Sequence, residues 1–397
     1  MQKRLIIAVL AVAITSPMSA LADTVNVTIY GVADASIDTT SNGDIPGGAS
    51  GTRMSKVSSN TSFIGFKGEE DMGGGLKAIW QVESEIDLDG TASNGTAANT
   101  PLGTRNTFAG LKSDSLGSLI LGRHDTPYKT ATLQLDLFGA HIADNRALMG
   151  GGAGKSSGRG FATRMTDIAV YNSPVINGFK ATAGYVAGAE AATLATQSKG
   201  SIWSLAGTYD VAPLYGVMAY ERHYYGDAGT GILAKNANGA SPTTSEKAWK
   251  LGGGYKVDEF TVNAIYEKTD DDFGGGASTA GTACAGLVTG ASCYGHRAVY
   301  MAGQYNITSN DAVKLAYTRA DNLQNGNAVN TGAKHISVGY DHKMSKRTNL
   351  YATYTRLSND TLAQYDLKGE SMATGNVNAL GKGASPSAFS LGMRHSF

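Results

Sequence analysis

Seven histidines are the side chains best suited to proton transfer near neutral pH. Yet His141, His223, His296 and His335 are scattered along the chain, with no serine or acid readable as the nucleophile and orienting partner that covalent catalysis needs. Gly150-Gly-Gly-Ala-Gly-Lys-Ser156 ends like a phosphate-cradling loop. That motif requires a glycine five positions before Gly154, where Met149 stands, and a strand-then-helix context that does not follow. A glycine hinge is the better account. Cys284 and Cys293 sit nine positions apart in a Gly/Ala/Ser-rich stretch, where an oxidising compartment would let them pair as a disulfide or leave two thiols. Beside them only His296 could serve as a ligand, and a structural zinc needs four, so no metal site is expected.

What remains is charge used without bond making. The segment after Ser118-Leu-Ile-Leu-Gly-Arg123 runs to Arg146 and carries Asp136 and Asp144. It also contains Leu133, Leu135, Leu137, Phe138 and Ile142, too many apolar side chains for a freely solvated loop. Such a segment should fold inward and present its acids to cations on an opposite wall. By side-chain parity Arg53, Lys67 and Lys77 are wall candidates, Glu83 and Glu85 share a face with Lys77, and Arg105, Arg123 and Arg164 are further basic candidates. Acids and bases opposed across water set a transverse field that orients dipolar solutes and sets ion preference.

The elements that must hold these charges have a period of two. From Val25, the odd positions Val25, Val27, Ile29, Gly31, Ala33, Ala35 and Ile37 oppose Asn26, Thr28, Asp34, Ser36 and Asp38. The alternation recurs in Leu76–Val82, Phe179–Tyr185, Trp249–Tyr255, Phe260–Tyr266, Val313–Tyr317, Ile336–Tyr340 and Leu350–Tyr354. It marks strands between two different solvents. Tyr or Trp repeatedly ends the apolar faces, as in the aromatic girdles of a membrane interface. The terminal strand repeats the rule, with Phe389, Leu391, Met393, His395 and Phe397 on one face. A final Phe on such a strand is expected to be the assembly signal of an outer-membrane barrel.

Residues 1–22 carry Lys3 and Arg4, an apolar run from Leu5 to Ile14 and the cleavage pattern Ala20-Leu21-Ala22, so a signal peptide and a mature domain over 23–397 are expected. The apolar run falls short of the roughly 20 residues a spanning helix needs. The mature part holds 31 basic and 33 acidic residues, a formal charge of −2, which gives no bulk attraction to nucleic acid. Connections alternate between short ones, such as Glu69–Gly75, Asp210–Pro213, Lys256–Glu259 and Lys343–Arg347, and long polar ones, such as Thr39–Gly51, Asp87–Gly103 and Asp270–Gly295. Short turns on one rim and long loops on the other predict an all-β, sixteen-stranded antiparallel transmembrane barrel with periplasmic turns and extracellular loops.

Particular stretches carry a family likeness. They are Val27-Thr-Ile-Tyr-Gly-Val-Ala-Asp34, Ser62–Glu69 with Asp71-Met-Gly-Gly-Gly-Leu-Lys-Ala-Ile-Trp80, Leu121-Gly-Arg-His-Asp-Thr-Pro127, Tyr171–Pro174 with Gly178-Phe179, Gly339–Thr348 and the terminal Phe397. In these the chain resembles the trimeric general porins of Gram-negative bacteria, of the beta-proteobacterial type. The resemblance implies a homotrimer, a third loop constricting each pore, and passive passage of small hydrophilic solutes and ions through the outer membrane. The expected partners are outer-membrane lipid, lipopolysaccharide and the assembly machinery. Phe63 stands where the family often has Arg, and Asp167 where it often has Asn; both weaken anion preference. Rival readings are a non-conducting adhesin or structural barrel, told apart by a plugged lumen, and an outer-membrane enzyme.

Overall fold

The computed structural model describes residues 26–90, 102–150, 161–188, 200–224, 245–271, 295–324, 329–367 and 381–397. The expected signal peptide and the Cys284–Cys293 pair lie outside the described residues. The first strands are β1 (Asn26–Ser41), β2 (Arg53–Ser59), β3 (Phe63–Asp71), β4 (Leu76–Glu85), β5 (Thr107–Ser113) and β6 (Gly117–Asp125). After a long connection come β7 (Arg164–Asn172), β8 (Phe179–Gly188), β9 (Gly200–Val211), β10 (Leu214–Tyr224), β11 (Ser245–Val257) and β12 (Phe260–Asp271). The chain finishes with β13 (Arg297–Asn306), β14 (Asp311–Ala320), β15 (Ala333–Lys343), β16 (Thr348–Asn359) and β17 (Ser387–Ser396).

β2 and β3 both pair with β1, over its outer and inner halves, so these two segments are one stave. From β3 onward each strand pairs antiparallel with the next, and β17 returns to β1. The described residues therefore form a closed barrel of sixteen antiparallel staves. Closure leaves no edge, and only then can a sheet satisfy its backbone in lipid. No helix among the described residues is long and apolar enough to cross a membrane; the crossing is made by strands.

The ends meet on the short-turn rim. The Phe397 amide donates to the Gly31 carbonyl at 3.0 Å, and the Gly31 amide donates to the Phe397 carbonyl at 3.1 Å. A Cβ on Gly31 would lie 2.5 Å from the Phe397 ring, so the ring has room only because residue 31 is glycine. The turn 72–75 holds Gly73, Gly74 and Gly75 all at positive φ, which L side chains avoid.

The solvents are inverted relative to a soluble protein. Ile29, Leu121, Val262 and Leu391 point outward and exposed, while Asp34, Ser36, Asp38 and Thr40 on the other face of β1 are buried inside. Inside, the described residues 126–150 and 161–163 of the long connection pack against the wall. Tyr128, Leu135, Phe138, Ile142 and Leu148 are buried there, while Leu133 remains exposed. Burying each such large side chain stabilises the docked segment by about 1.5–3 kcal/mol.

Between the pairs Val32–Phe63 and Ala35–Ser59, β1 has two residues and the facing stave has three, Asn60, Thr61 and Ser62. The extra residue is a bulge, with Thr61 at φ +51°. It is held by the Asn60 amide donating to the Asp34 carbonyl at 2.7 Å and by the Asp34 amide donating to Ser62 Oγ at 2.9 Å. One inserted residue inverts side-chain parity along the stave. This corrects the expectation for Arg53. It pairs with Ser41, on the face that also carries Ile37 (64% exposed) and Val57 (56% exposed), and so points outward at the loop rim.

Candidate functional site

The third long connection leaves β6, and its residues 126–150 turn into the barrel. Thr126 caps a short helix, α1 (Pro127–Thr130), by accepting from the Lys129 amide at 3.3 Å. Proline at the first helical position suits this start. Two single 3-10 turns follow, at Leu133–Leu135 and Asn145–Ala147.

The wall holds this loop by polar contacts on many strands. Ser204 of β9 accepts from the Tyr128 amide at 2.9 Å, and Tyr215 of β10 donates to the Ala131 carbonyl at 2.6 Å. Lys250 of β11 is buried, donates to Thr132 Oγ1 at 2.7 Å and lies 4.1 Å from the centre of the Tyr128 ring. Glu267 of β12 accepts from the Tyr128 hydroxyl at 2.8 Å and from the Gly150 amide at 2.6 Å. Asn263 donates to the Leu135 carbonyl at 2.9 Å. Tyr300 of β13 accepts from the Leu137 amide and donates to Asp136 Oδ1, both at 3.0 Å. Lys314 of β14 donates to the Leu137 carbonyl at 3.1 Å and pairs with Asp341 at 2.7 Å. At the tip, Thr61 donates to the Ala140 carbonyl at 3.2 Å and His141 Nε2 lies 3.4 Å from Asp34 Oδ2.

None of Lys250, Asn263, Tyr300, Glu267 or Lys314 was singled out as a site residue from sequence. All lie on the polar face of the strand alternation, which was the available signal. Their meeting with loop backbone is a tertiary fact.

The oxygens of both loop acids are occupied, those of Asp144 within the loop and those of Asp136 by the loop and by Tyr300 of the wall. Asp136 accepts from the Phe138 amide at 2.9 Å, the Asn145 amide at 3.0 Å and the Tyr300 hydroxyl. Asp144 accepts from the Ala140 amide at 2.9 Å and the Arg146 amide at 2.8 Å, and forms a forked pair with the Arg146 guanidinium. Burial, reinforced by the charge of Asp144, raises Asp136 to about 7. Burial acts upward on Asp144 as well, but the Arg146 charge and hydrogen bonds outweigh it and hold that carboxyl below its usual range. His141 is lowered by burial, which Asp34 only partly offsets.

The facing wall is built by β1 and β3 to β7. Lys67 pairs across the ladder with Thr28 and with Gln81, on the inner face, as do Glu83 opposite Gly65 and Glu85 opposite Phe63. Glu83 accepts from the Tyr30 hydroxyl at 2.8 Å and lies 3.9 Å from Arg105 Nε. The Arg105 guanidinium lies 4.9 Å from the centre of the Phe63 ring. Arg164 pairs with Asp125 at 3.2 Å and donates to Asn106 Oδ1 at 2.8 Å; Lys129 of the loop pairs with Asp125 at 2.9 Å. Arg123, in the β6–β7 bulge, lies within electrostatic reach of Arg164, Asp125 and Glu85. Lys77 shares this face but stands beside the turn 72–75, paired with Glu69 at 2.6 Å. Arg105, Arg123 and Arg164 thus come together with Glu83, Glu85 and Asp125, while Lys77 and Arg53 lie apart from them.

The histidines are absorbed into structure. His223 is fully buried between Glu221 (2.9 Å) and Glu246 (2.7 Å), His296 contacts the Leu148 carbonyl at 2.8 Å, and buried His335 meets Thr355 at 2.6 Å.

A family model described as Gram-negative porin matches residues 8–362. Outer membrane porin protein 32 of Delftia acidovorans is 27% identical over 393 residues, covering 98% of this chain and 99% of that protein. A major outer membrane protein P.IB of Neisseria meningitidis serogroup B is 39% identical over 134 residues, 32% of this chain and 35% of that one. Among solved structures, the anion-selective porin from Comamonas acidovorans superposes with a TM-score of 0.71 at 24% identity, over 94% of this chain and 100% of that chain. OmpF of Salmonella typhi, solved with daunomycin, gives 0.60 at 17% identity, over 94% and 97%. With a closed sixteen-stave barrel, a loop folded into its lumen and a family model matched over most of its length, the chain belongs to the Gram-negative porin family.

Proposed function

We infer that this protein is a general diffusion porin, a water-filled channel of the outer membrane through which small hydrophilic solutes and ions pass passively. The observation that carries the reading is the third loop, docked inside a closed barrel by side chains of six or more strands. A loop held this way narrows the lumen at a set height and leaves charged side chains such as Lys67 exposed on the opposite wall. A plugged adhesin would have no use for a graded, charged inner wall.

The constriction has the loop with Asp136 and Asp144 on one side, and Lys67, Arg105, Arg123 and Arg164 with Glu83 and Glu85 on the other. Lys77 lines the periplasmic vestibule. The loop acids act through the field of the loop, because their oxygens are occupied by amides and Arg146. Catalysis has no place in this mechanism; the barrel lowers the barrier to diffusion and its charges sort what enters. The channel assembles as a homotrimer beside lipid and lipopolysaccharide, and the assembly machinery reads the strand that ends in Phe397. That residue seals the seam to Gly31, so recognition and closure use the same strand.

Single-channel current from detergent-purified protein under a salt gradient tests this. Stepwise ohmic openings in threes establish the trimeric pore, and the reversal potential gives its selectivity. A well-inserted, heat-modifiable barrel without conductance overturns the reading.

A further inference from the structure

The inner wall beneath the loop tip carries an aromatic surface flanked by cations. Tyr30 of β1 and Phe63 of β3 both point inward: Tyr30 pairs with Gly65 and Phe63 with Glu85 on the lumen side of the ladder. Their ring centres are 6.0 Å apart in an edge-to-face arrangement. The Tyr30 ring lies flat against Gly65, where a Cβ would meet it at 2.5 Å, so the wall backs one face of this ring. Both rings are only partly buried. Lys67 Nζ stands 4.8 Å from the Tyr30 ring centre, on an exposed side chain, and the Arg105 guanidinium stands 4.9 Å from the Phe63 ring centre. The Phe63 end of the patch lies beside the loop tip: Thr61, two residues from Phe63, donates to the Ala140 carbonyl, and β3 carries Lys67 four residues further towards the turn 72–75.

An inward aromatic in a wide aqueous passage has no core to fill. The part of each ring left open to the passage favours a flat π system, by offset or edge-to-face contact, and the cations standing over these rings favour an anion beside them. Resting on the channel reading above, we propose that Tyr30, Phe63 and Lys67 form a subsite that retards and selects small aromatic carboxylates over aliphatic carboxylates of the same charge. Phe63 and Tyr30 supply the discrimination for the ring, and Lys67 supplies the attraction for the carboxylate. Glu83 sets the geometry by fixing the Tyr30 hydroxyl.

The test is saturation of single-channel chloride current by potassium benzoate and, separately, by potassium cyclohexanecarboxylate, which has the same charge and similar bulk but no π face. Benzoate should half-saturate at a concentration about two- to tenfold lower than cyclohexanecarboxylate, the range expected of one aromatic contact. Phe63→Leu and Tyr30→Leu should each shrink this ratio towards one, whereas Lys67→Gln should weaken both carboxylates alike and leave the ratio standing. Equal half-saturation by the two acids in the wild-type channel overturns the proposal, as does a ratio that survives in both Leu variants. A wild-type barrel that conducts no chloride overturns the channel reading itself, and the subsite with it.

Discussion

Tyr300→Phe removes one oxygen and thereby two hydrogen bonds that hold the constriction loop. The Leu137 amide loses its partner among the described residues, and Asp136 Oδ1 loses one of its donors. A buried amide left unsatisfied costs about 1–3 kcal/mol, and at pH 8, where Asp136 is ionised, the hydrogen bond to it contributes about 1.5–3 kcal/mol. The two losses share one atom and are not additive, so docking should weaken by about 2–4 kcal/mol. At 1.4 kcal/mol per tenfold, the undocked population rises by roughly thirty- to several-hundredfold. The ring itself stays, so packing is unchanged. The assay is open-channel noise in single-channel records, with Tyr305→Phe as control. Tyr305 lies on the same strand but on the outward face, paired with Phe260 and Val313. Frequent brief current fluctuations in Tyr300→Phe, absent from the control, are expected. Records indistinguishable from wild type would show that this hydroxyl does not hold the loop.

Two further outcomes follow from the same geometry. Burial and Asp144 raise Asp136 to about 7, above the roughly 3.9 of a free aspartate. A raised carboxyl favours the docked loop in its protonated form, so its contribution to docking is complete below about pH 4 and is lost as pH rises through about 7. Lowering pH from 8 to 6 should therefore remove one negative charge from the loop and move the reversal potential towards anions; Asp136→Asn should flatten that response, and an unchanged slope would refute the assignment. Deleting Phe397 removes the paired backbone and the ring over Gly31. Surface levels should fall much more than the conductance of channels that do form, and normal levels in a quantitative heat-modifiability assay would count against the signal.

Much of this molecule was legible in its sequence because a barrel wall has two solvents and a strand has a period of two. That alternation placed Ile29 and Leu391 in lipid, put Lys67, Glu83 and Glu85 on one inner face, and set the terminal strand beside the first. The apolar content of the third loop likewise announced that it would fold inward. Parity is reliable only where the ladder is regular. The bulge at Asn60–Ser62 inverted it and carried Arg53 outward, a consequence of a hydrogen-bond pattern with Asp34 and Ser62 that no local count reveals.

What only the tertiary structure decided concerns partners distant in sequence. Asp136 and Asp144 have the residue types of pore-facing acids, yet their oxygens meet Phe138, Asn145, Tyr300 and Arg146, because an inward-folded loop must satisfy its own backbone away from water. Lys250 and Lys314 look like ordinary wall cations, and the loop's arrival turns them into anchors. Sequence alone determined the barrel, its two faces and the inward loop, since these depend on spacing and polarity. Which charges remain open to the lumen was decided by the fold, since only closure of the sheet brings Tyr351 and Arg394 to donate to Asp34 at the seam, where His141 also stands 3.4 Å from it.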